Sequence, residues 1–471
     1  MSIHVNCFAM KQLTATLLAL LLSICSLSAQ EAAESSSKDS IVATYLNSGR
    51  YLDAMAAHRD LEGELHPVAE LLYQGLIHRA LGRKQASRRS FQDLVEQYAD
   101  VCSGDLIDSC LVEVTSLSLL AGDSSGLRWL QRTLSAYAQA PEYACPLSRE
   151  RIAKLGVVAQ ERIAALAQPR MRLVHQRPMD TLQMQLPYGL PTVSITINGV
   201  RTQAIVDTGG EGYLFLNEGR ARRLGLQVEL KPGTLNGVTV PVGQAKIDSL
   251  RVGAATIYNV PVFVSGAAPL DTLRLPGHEQ VLDSVRRIAQ GFYDMPVLGL
   301  KLLQAYGAVT MDLERNQLIL RSREATPERS EQLPNMYESQ DKLYVQGLLN
   351  GVRSTLMLDT GSDQEVGLSE RFALQYPDEL PLPPLQQQLR QLQVNFNFHQ
   401  AKRLETRLLG GASFQVLPDG PRLVKPGLTL LIDQRAIHQL HEGDGYLGMS
   451  GLRACGSRFT LDFVNMRLSF D

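Results

Sequence analysis

Several features are scarce in this 471-residue sequence, and each scarcity argues against a class of function. The formal net charge is only −2, so no excess of positive charge favours binding to nucleic acid or anionic lipid. No two of the six cysteines form a Cys-x-x-Cys pair, so neither a zinc ribbon nor a thioredoxin-like redox site is indicated. No phosphate-loop lysine motif occurs either.

The N-terminal segment is typical of a secretory signal peptide. A lysine precedes a mainly apolar stretch, 13–24, and small residues follow up to a plausible cleavage site before residue 30. The stretch is short for a transmembrane span, and no later segment is long and apolar enough to be one. We expect residues 1–29 to be removed and the mature protein to be soluble in an exported compartment, periplasmic or secreted. Cys25 leaves lipid anchoring as an alternative, which the large Ile24 disfavours.

The cysteines of the mature chain permit a disulfide, because exported compartments are oxidising. Cys102, Cys110 and Cys145 lie in one region of the sequence, far from Cys455. We expect Cys102 to pair with either Cys110 or Cys145 and leave the pairing open.

Residues 38–168 are predicted to form a domain of helical hairpins. The small polar residues 31–39, before it, are predicted to form a linker. Apolar residues recur three and four positions apart, and proline is nearly absent. Glycine-led turns at Gly49, Gly82 and Gly122 divide the segment at spacings of 33 and 40 residues. This resembles a short, irregular tetratricopeptide-type array, whose repeat is about 34 residues. Such arrays usually bind partners, so we expect either a protein partner on this domain or a merely structural bundle.

After residue 169 the pattern changes to short β-branched runs separated by Gly, Pro and Asn turns, which is typical of strands. Here the tripeptide Asp-Thr-Gly occurs twice, beginning at Asp207 and at Asp359. Each copy follows an Asn-Gly-Val-Arg segment and an apolar run, and both features repeat at the same offset (359 − 207 = 350 − 198 = 152). One copy alone is a weak signal, because Asp and Gly favour turns anyway. Two copies in matched surroundings indicate a duplication.

The duplication extends beyond the tripeptide. The segment 297–299, Val-Leu-Gly, corresponds to 446–448, Tyr-Leu-Gly, and a closing hairpin follows each. Between these anchors the segment 245–253 resembles 401–410, and we expect the two to be equivalent. The sequence thus predicts a first lobe at 169–325, a linker at 326–335 and a second lobe at 336–471.

In each lobe an apolar run leads into Asp-Thr-Gly, and an apolar-apolar-Gly motif follows later. This pattern resembles that of the pepsin and retropepsin superfamily of aspartic proteases. The resemblance covers about residues 185–471. It implies an α+β multidomain protein, in which an N-terminal array of α-helical hairpins precedes a bilobal, all-β unit built as a duplicated acid-protease barrel. Retropepsins take one lobe from each of two subunits, whereas pepsin-type enzymes fuse two lobes. The resemblance implies a fused pair with the active site formed within one chain, and pairing of lobes between chains is an alternative.

The implied chemistry is that of two carboxylates in one site. Asp207 and Asp359 would be the catalytic residues: held close together they share one proton, the ionised member activates a water, and the protonated member hydrogen-bonds the scissile carbonyl. No metal or other cofactor is implied. The resemblance therefore implies an exported aspartic endopeptidase that hydrolyses a peptide or protein substrate.

Other residues are implied to support the two active-site loops. The threonines would hydrogen-bond across the lobe junction, the glycines after them would allow close backbone approach, and two later glycines would let a strand pack behind each loop. These supporting residues are Thr208, Gly209, Thr360, Gly361, Ser362, Gly299 and Gly448.

The sequence also departs from the family pattern. Gly210 stands where Ser or Ala is usual, whereas Ser362 keeps the pattern in the second copy. A flap without tyrosine is expected at the hairpin 233–240, and a less readable counterpart near 394–400. These departures leave an alternative: a non-catalytic peptide-binding or scaffold protein with a degenerate protease fold and a helical partner-binding domain.

Two further motifs are weaker. Residues 443–448 match Gly-x-Gly-x-x-Gly but lack the βαβ context of a dinucleotide site. His438 and His441 beside Glu442 match neither zinc-protease spacing, so a surface or loop role is expected for them.

Overall fold

The computed structural model describes residues 31–471 except 236–237, 267–286, 288–289, 330–331, 382–392, 398–399, 405–407, 418–421 and 434–442. The predicted signal peptide and the histidine pair at 438 and 441 therefore lie outside the described residues. The chain divides into two compact units, the first ending at Pro169 and the second running from Arg170 to Asp471.

The first unit is helical. Its described helices are α1 Glu31–Asn47, α2 Tyr51–Asp60, α3 Pro67–Ala80, α4 Lys84–Tyr98, α5 Gly104–Ala121, α6 Ser124–Gln139 and α7 Arg149–Leu166, with a 3-10 turn at Glu142–Ala144. Gly49, Gly82 and Gly122 follow α1, α3 and α5 with φ of 71°, 68° and 71°, a conformation that glycine adopts without strain. The predicted linker at 31–39 is wrong, because the helix-forming alanine, glutamate and lysine of this segment belong to α1.

Polar contacts join the helices of this unit. Arg79 on α3 donates to Glu113 on α5 at 2.6 Å, and Arg88 on α4 donates to Asp123, just before α6, also at 2.6 Å. Arg151 on α7 donates to Asp108 on α5 at 2.7 Å. Fully buried side chains fill the space between the helices, among them Leu72, Phe91, Ile107 and Leu130.

The predicted disulfide is wrong. In the part of the chain that the structure describes, Cys102, Cys110, Cys145 and Cys455 are free thiols. Cys110 is completely buried in α5, and burial raises the pKa of its thiol well above the usual value.

The second unit is β-rich. Its first lobe (170–321) contains the 3-10 turn Pro187–Gly189, the helices α8 Glu218–Arg223 and α9 Leu300–Leu303, and the strands β1 Arg172–His175, β2 Met179–Gln185, β3 Thr192–Ile197, β4 Val200–Val206, β5 Leu214–Asn217, β6 Lys231–Leu235, β7 Val238–Val252, β8 Ala255–Ser265, β9 Val297–Leu298, β10 Ala308–Asp312 and β11 Gln317–Arg321.

The second lobe (336–470) follows. It contains the helices α10 Glu370–Gln375 and α11 Met449–Cys455, and the strands β12 Met336–Ser339, β13 Lys342–Leu349, β14 Val352–Asp359, β15 Val366–Ser369, β16 Gln393–Asn397, β17 Gln400–Leu404, β18 Leu408–Val416, β19 Arg422–Asp433, β20 Gly445–Gly448, β21 Arg458–Asp462 and β22 Arg467–Phe470.

The two lobes have the same strand order. The first runs β2-β3-β4-β9-β5-β8-β7, the second runs β12-β13-β14-β20-β15-β19-β18, and the additional pairings β3–β7 and β13–β18 also correspond. In each lobe the strand that leads into Asp-Thr-Gly lies parallel to a later strand, β4 beside β9 and β14 beside β20. Each Asp-Thr-Gly therefore follows a strand inside its sheet, where neighbours on both sides fix its position.

Matching Asn-Gly turns set the register of the lobes. Asn198 and Asn350 have φ of 46° and 49°, as a two-residue hairpin turn requires. The Oδ1 atom of Asn198 accepts from Ser249 N at 3.0 Å, and that of Asn350 accepts from Ser413 N at 2.7 Å. Ser249 therefore corresponds to Ser413, an offset of 164 (413 − 249). The predicted equivalence of 245–253 with 401–410, at an offset of 156 (401 − 245), is wrong, because extra residues precede β18.

Strands of both lobes also form one sheet, in the order β22-β21-β10-β11-β2. β10 pairs antiparallel with β21, so Val309 lies opposite Leu461, and both side chains are buried. The hydroxyl groups of Thr310 and Thr460 hydrogen-bond at 2.8 Å. The two lobes are thus joined by a continuous ladder of backbone hydrogen bonds.

The predicted order of fold classes, helical hairpins followed by a bilobal β-rich unit, is confirmed by these elements. Within the described ranges, no helix combines the length and the apolar character needed to cross a membrane.

Candidate active site

The two Asp-Thr-Gly turns meet at the junction of the lobes. Thr208 N donates to Thr360 Oγ1 at 3.0 Å, and Thr360 N donates to Thr208 Oγ1 at 3.0 Å. Each hydroxyl in turn donates to a carbonyl of the opposite strand, Leu358 O at 2.9 Å and Val206 O at 2.8 Å. Both threonines are completely buried, so losing either hydroxyl would leave buried polar groups unsatisfied. The four bonds hold the loops in a fixed relation.

Asp207 and Asp359 lie side by side and hydrogen-bond to each other. The glycine after each threonine permits this closeness: a Cβ on Gly209 would lie 2.5 Å from Asp359 Oδ1, and one on Gly361 would lie 2.5 Å from Asp207 Oδ1. Each glycine also donates its N–H to the aspartate of its own loop, at 2.7 Å for Gly209 and 3.0 Å for Gly361. The structure therefore brings both predicted carboxyl groups into one site.

Gly299 and Gly448 pack directly behind the two loops. A Cβ on Gly299 would lie 2.6 Å from a carbonyl oxygen of the first loop, and one on Gly448 would lie 2.3 Å from a carbonyl oxygen of the second. The residue after each glycine donates its N–H to the carbonyl of Gly210 or Ser362, at 2.8 Å in both lobes. Any side chain at these two positions would push the loop away from its partner.

The surroundings raise the pKa of both aspartates, though unequally. Burial raises the pKa of Asp207, and the charge of Lys342 and the N–H groups of Gly209 and Gly210 oppose that rise. Burial and the negative charge of Asp207 raise the pKa of Asp359 to about 8. Because two buried carboxyl groups in contact cannot both ionise cheaply, the pair can share one proton.

Gly210 and Ser362 mark a difference between the loops. A Cβ on Gly210 would approach Asp207 Oδ2 to 3.1 Å. The hydroxyl of Ser362 accepts from Gln364 N at 3.3 Å, which steadies its own turn. The first loop has no hydroxyl group at the corresponding position.

Hairpins occur at both predicted flap positions. β6 pairs with β7, with Gly233 opposite Val240, and β16 pairs with β17, with Asn397 opposite Gln400. Their tips, at 236–237 and 398–399, are outside the described residues.

Lys342 lies beside the site and is not part of the repeated motif. Its Nζ donates to Gly209 O at 2.7 Å and forms an ion pair with Glu211 at 3.0 Å. The residue 152 positions earlier is Leu190, so the repeat that revealed the aspartates gave no signal for this lysine.

The competing motifs find little support in the described residues. There, no group of three or more His, Cys, Asp or Glu side chains could hold a metal ion. Gly445, the second glycine of the dinucleotide-like motif, lies in β20, where a Cβ would be 1.9 Å from Gly367 O. That glycine allows two strands to pack closely, which explains it without a nucleotide.

Three solved structures illustrate the similarity to known proteins. A retropepsin-like aspartic protease from Rickettsia conorii is 19% identical, with 32% of this chain and 94% of that chain covered and a TM-score of 0.21. An aspartic proteinase from Irpex lacteus is 11% identical, with coverage of 62% and 96% and a TM-score of 0.35. The protein called edgp is 8% identical, with coverage of 64% and 95% and a TM-score of 0.33.

Among curated proteins, no match to this chain was found. A family model described as aspartyl protease matches residues 193–277, from β3 through the first Asp-Thr-Gly and the β7–β8 pair. The match confirms the resemblance drawn from the repeated motif for this part of the chain. Residues 193–277, with Asp207 among them, thus have the sequence pattern of the aspartyl protease family.

Proposed function

We propose that this protein is an aspartic endopeptidase, which hydrolyses peptide bonds with a water molecule held between Asp207 and Asp359. The hydrogen-bonded pair of carboxyl groups in two matched loops carries this proposal. Two carboxylates in contact cannot both ionise cheaply, so one keeps its proton, and the pair then holds a base and an acid at the same point. The aspartyl protease match of the segment around Asp207 supports the same chemistry.

The unequal surroundings of the two carboxyl groups suggest their roles. Ionised Asp207 accepts a proton from the water as the water oxygen attacks the scissile carbonyl carbon. Protonated Asp359 hydrogen-bonds the carbonyl oxygen, where negative charge develops. The tetrahedral intermediate then collapses, the C–N bond breaks, and a proton passes to the leaving amine. No covalent enzyme intermediate forms.

The test is digestion of a labelled peptide library at several pH values by the mature protein and by the variants Asp207→Asn and Asp359→Asn. Asparagine keeps the shape of the side chain but can act neither as the base nor as the acid. We expect each variant to lose at least about 1,000-fold in cleavage rate. Asp248→Asn, at an exposed position on β7, is the matched control.

Other outcomes would contradict specific parts of the proposal. Retained cleavage in either variant would exclude the shared pair. Recovered cleavage on mixing the two variants would show that the lobes pair between chains. Saturable peptide binding without turnover at any pH would favour the alternative, a binding protein with a protease-like fold.

Action outside the cytoplasm is the second part of the proposal. The basis is the lysine, the apolar stretch and the small residues within 1–29. N-terminal sequencing of protein recovered from an exported fraction should begin at Gln30. A product that keeps residues 1–29, or one that carries lipid on Cys25, would contradict the expected cleavage.

A further inference from the structure

The β12–β13 hairpin of the second lobe reaches the first catalytic loop. Its turn residues Gln340 and Asp341 have φ of 49° and 59°, so the chain reverses within two residues and Lys342 begins β13. The Lys342 side chain is 18% exposed, and its ammonium group lies 2.7 Å from Gly209 O and 3.0 Å from Glu211 Oε1. A lysine of one lobe therefore contacts the loop that carries the other lobe's aspartate.

A second contact holds this hairpin in place. Lys301 on α9 of the first lobe forms ion pairs with Glu338 and, at 2.8 Å, with Asp341. Gln304 donates to the other oxygen of Glu338 at 2.8 Å. The side chains of Lys301 and Glu338 are both largely buried, so these contacts restrict the hairpin more than surface ion pairs would. The hairpin is thus fixed at its turn and at its first strand.

The corresponding position in the other lobe carries no charge. Leu190 stands 152 residues before Lys342, and Asp363 stands 152 residues after Glu211. Asp363 Oδ1 accepts from Gln364 Nε2 at 3.2 Å, and a Cβ on Gly189 would lie 3.7 Å from its Cβ. The same hairpin-to-loop approach thus occurs twice, but the ammonium group stands beside the first loop.

We propose that Lys342 is a positioning residue of the active site: it holds the first catalytic loop through the Gly209 carbonyl and sets the pH range in which the two aspartates carry one proton. This inference rests on the proposed protease function. The charged side chains in the described parts of the two loops and of the hairpin are Asp207, Glu211, Asp359, Asp363, Glu365, Glu338, Asp341 and Lys342, and Lys301 of α9 contacts the hairpin.

The sign of the effect follows from the charge. A nearby cation stabilises ionised carboxylates, and Lys342 lowers the pKa of both Asp207 and Asp359. Without it, both steps of the pair's titration move to higher pH, so the singly protonated form also appears at higher pH. Removing the charge of Glu211 leaves the lysine without its counter-ion and should move both steps the opposite way.

The experiment compares the pH profiles of kcat/KM of the full chain and of the variants Lys342→Met, Lys342→Arg, Glu211→Gln and Lys246→Met. Methionine keeps the length of the lysine side chain without its charge, whereas arginine keeps the charge. Lys246 is exposed on β7 and controls for the change in net charge. We expect both limbs of the Lys342→Met profile to move up by about one pH unit. Lys342→Arg and Lys246→Met should keep both limbs in place, and Glu211→Gln should move them down.

A uniform fall in rate for Lys342→Met, with both limbs unmoved, would overturn the inference, because a merely structural contact predicts that result. An equal shift for Lys246→Met would also overturn it. If Lys342→Met does not fold, the other two variants test the inference. It then requires that both limbs of the pH profile move down in Glu211→Gln and stay in place in Lys342→Arg, and any other result would overturn it.

A separate readout distinguishes failure of this inference from failure of the protease proposal. Titration of the aspartate carboxyl carbons by NMR needs no turnover. If the wild-type protein cleaves no peptide, the protease proposal fails, yet higher apparent pKa values of the pair in Lys342→Met would still support the role of the lysine. Unchanged apparent pKa values would refute it.

Discussion

The two Asp-Thr-Gly loops have matching backbone hydrogen bonds and differ in the charges around them. In both loops the threonine hydrogen-bonds to the threonine of the other lobe, and the N–H of the following glycine donates to the aspartate of its own loop. A later glycine packs behind each turn. Lys342, however, contacts the first loop at Gly209 O and Glu211, whereas the position 152 residues before it, near the second loop, is Leu190. The repeated geometry brings two carboxyl groups together, whereas the charges around them are not repeated.

Among variants that keep both aspartates, the largest effect is expected from adding one methyl group between the loops. In Gly209→Ala the new Cβ would lie 2.5 Å from Asp359 Oδ1, so that carboxyl group must move. We expect kcat/KM to fall by about 100-fold or more, while the melting temperature changes little, because a single side-chain end can give way. Gly361→Ala should behave alike, since its Cβ would crowd Asp207 equally.

Gly210→Ala is the matched control for the methyl experiment. Its Cβ would approach Asp207 Oδ2 only to 3.1 Å, which a small shift relieves. An equal loss in Gly210→Ala and Gly209→Ala would show that the spacing between the loops does not explain the requirement for glycine.

The next largest effect concerns the threonines that join the loops. Thr208→Val keeps the shape but removes the hydroxyl that donates to Leu358 O and accepts from Thr360 N. Leaving these buried groups unpaired should lower the free energy of unfolding by about 2–4 kcal/mol, measured by urea denaturation. Thr208→Ser retains the hydroxyl and should lose less than half as much. Equal losses would assign the effect to the methyl group.

The pH dependence of stability tests the unequal protonation. A carboxyl group with a raised pKa in the folded state stabilises the fold while protonated; that stability is complete below the unfolded pKa of about 3.9 and is lost as pH rises through the folded pKa. The folded pKa of Asp359 is about 8. Asp359→Asn should therefore match the wild-type melting temperature at pH 4 and exceed it by a few degrees at pH 8. Parallel curves for the two proteins would contradict the raised pKa.

The smallest effect is expected at Ser362, where the loops differ by one hydroxyl. Ser362→Gly removes the acceptor of Gln364 N, a bond of 3.3 Å, and makes the second loop resemble the first. The free energy of unfolding should fall by about 0.5–1 kcal/mol, with both limbs of the pH profile unmoved. A shifted limb would show that the hydroxyl acts on Asp359 itself.

The features that were predictable are those whose sequence is dictated by local geometry. Asn198 and Asn350 begin tight turns with positive φ, and the glycines at 209 and 361 lie where a Cβ cannot fit. Such positions tolerate few residue types, so the repeat stayed readable and pointed to both loops. The glycine-led turns between the helices were predictable for the same reason.

The predictions that were wrong or missing concern features that depend on insertions or on contacts between residues distant in sequence. The similarity of 245–253 to 401–410 was compositional, whereas the hydrogen bonds of Ser249 and Ser413 fix the real equivalence. The linker prediction for 31–39 is wrong because the segment combines its serines with alanine, glutamate and lysine, which favour helix. Lys342 escaped notice because its importance comes from Gly209, 133 residues away, and no repeated pattern marks it.

The separation of these partners along the chain has a consequence for folding. Thr208 and Thr360 are 152 residues apart, and the hydroxyl pair of Thr310 and Thr460 is 150 apart. Contacts that close such long loops form late, after each lobe has gained its local hairpins. A chain with one finished lobe would therefore hold one aspartate and no acid–base pair. Hydrolytic ability, as proposed, would arise only in the last cooperative step of folding.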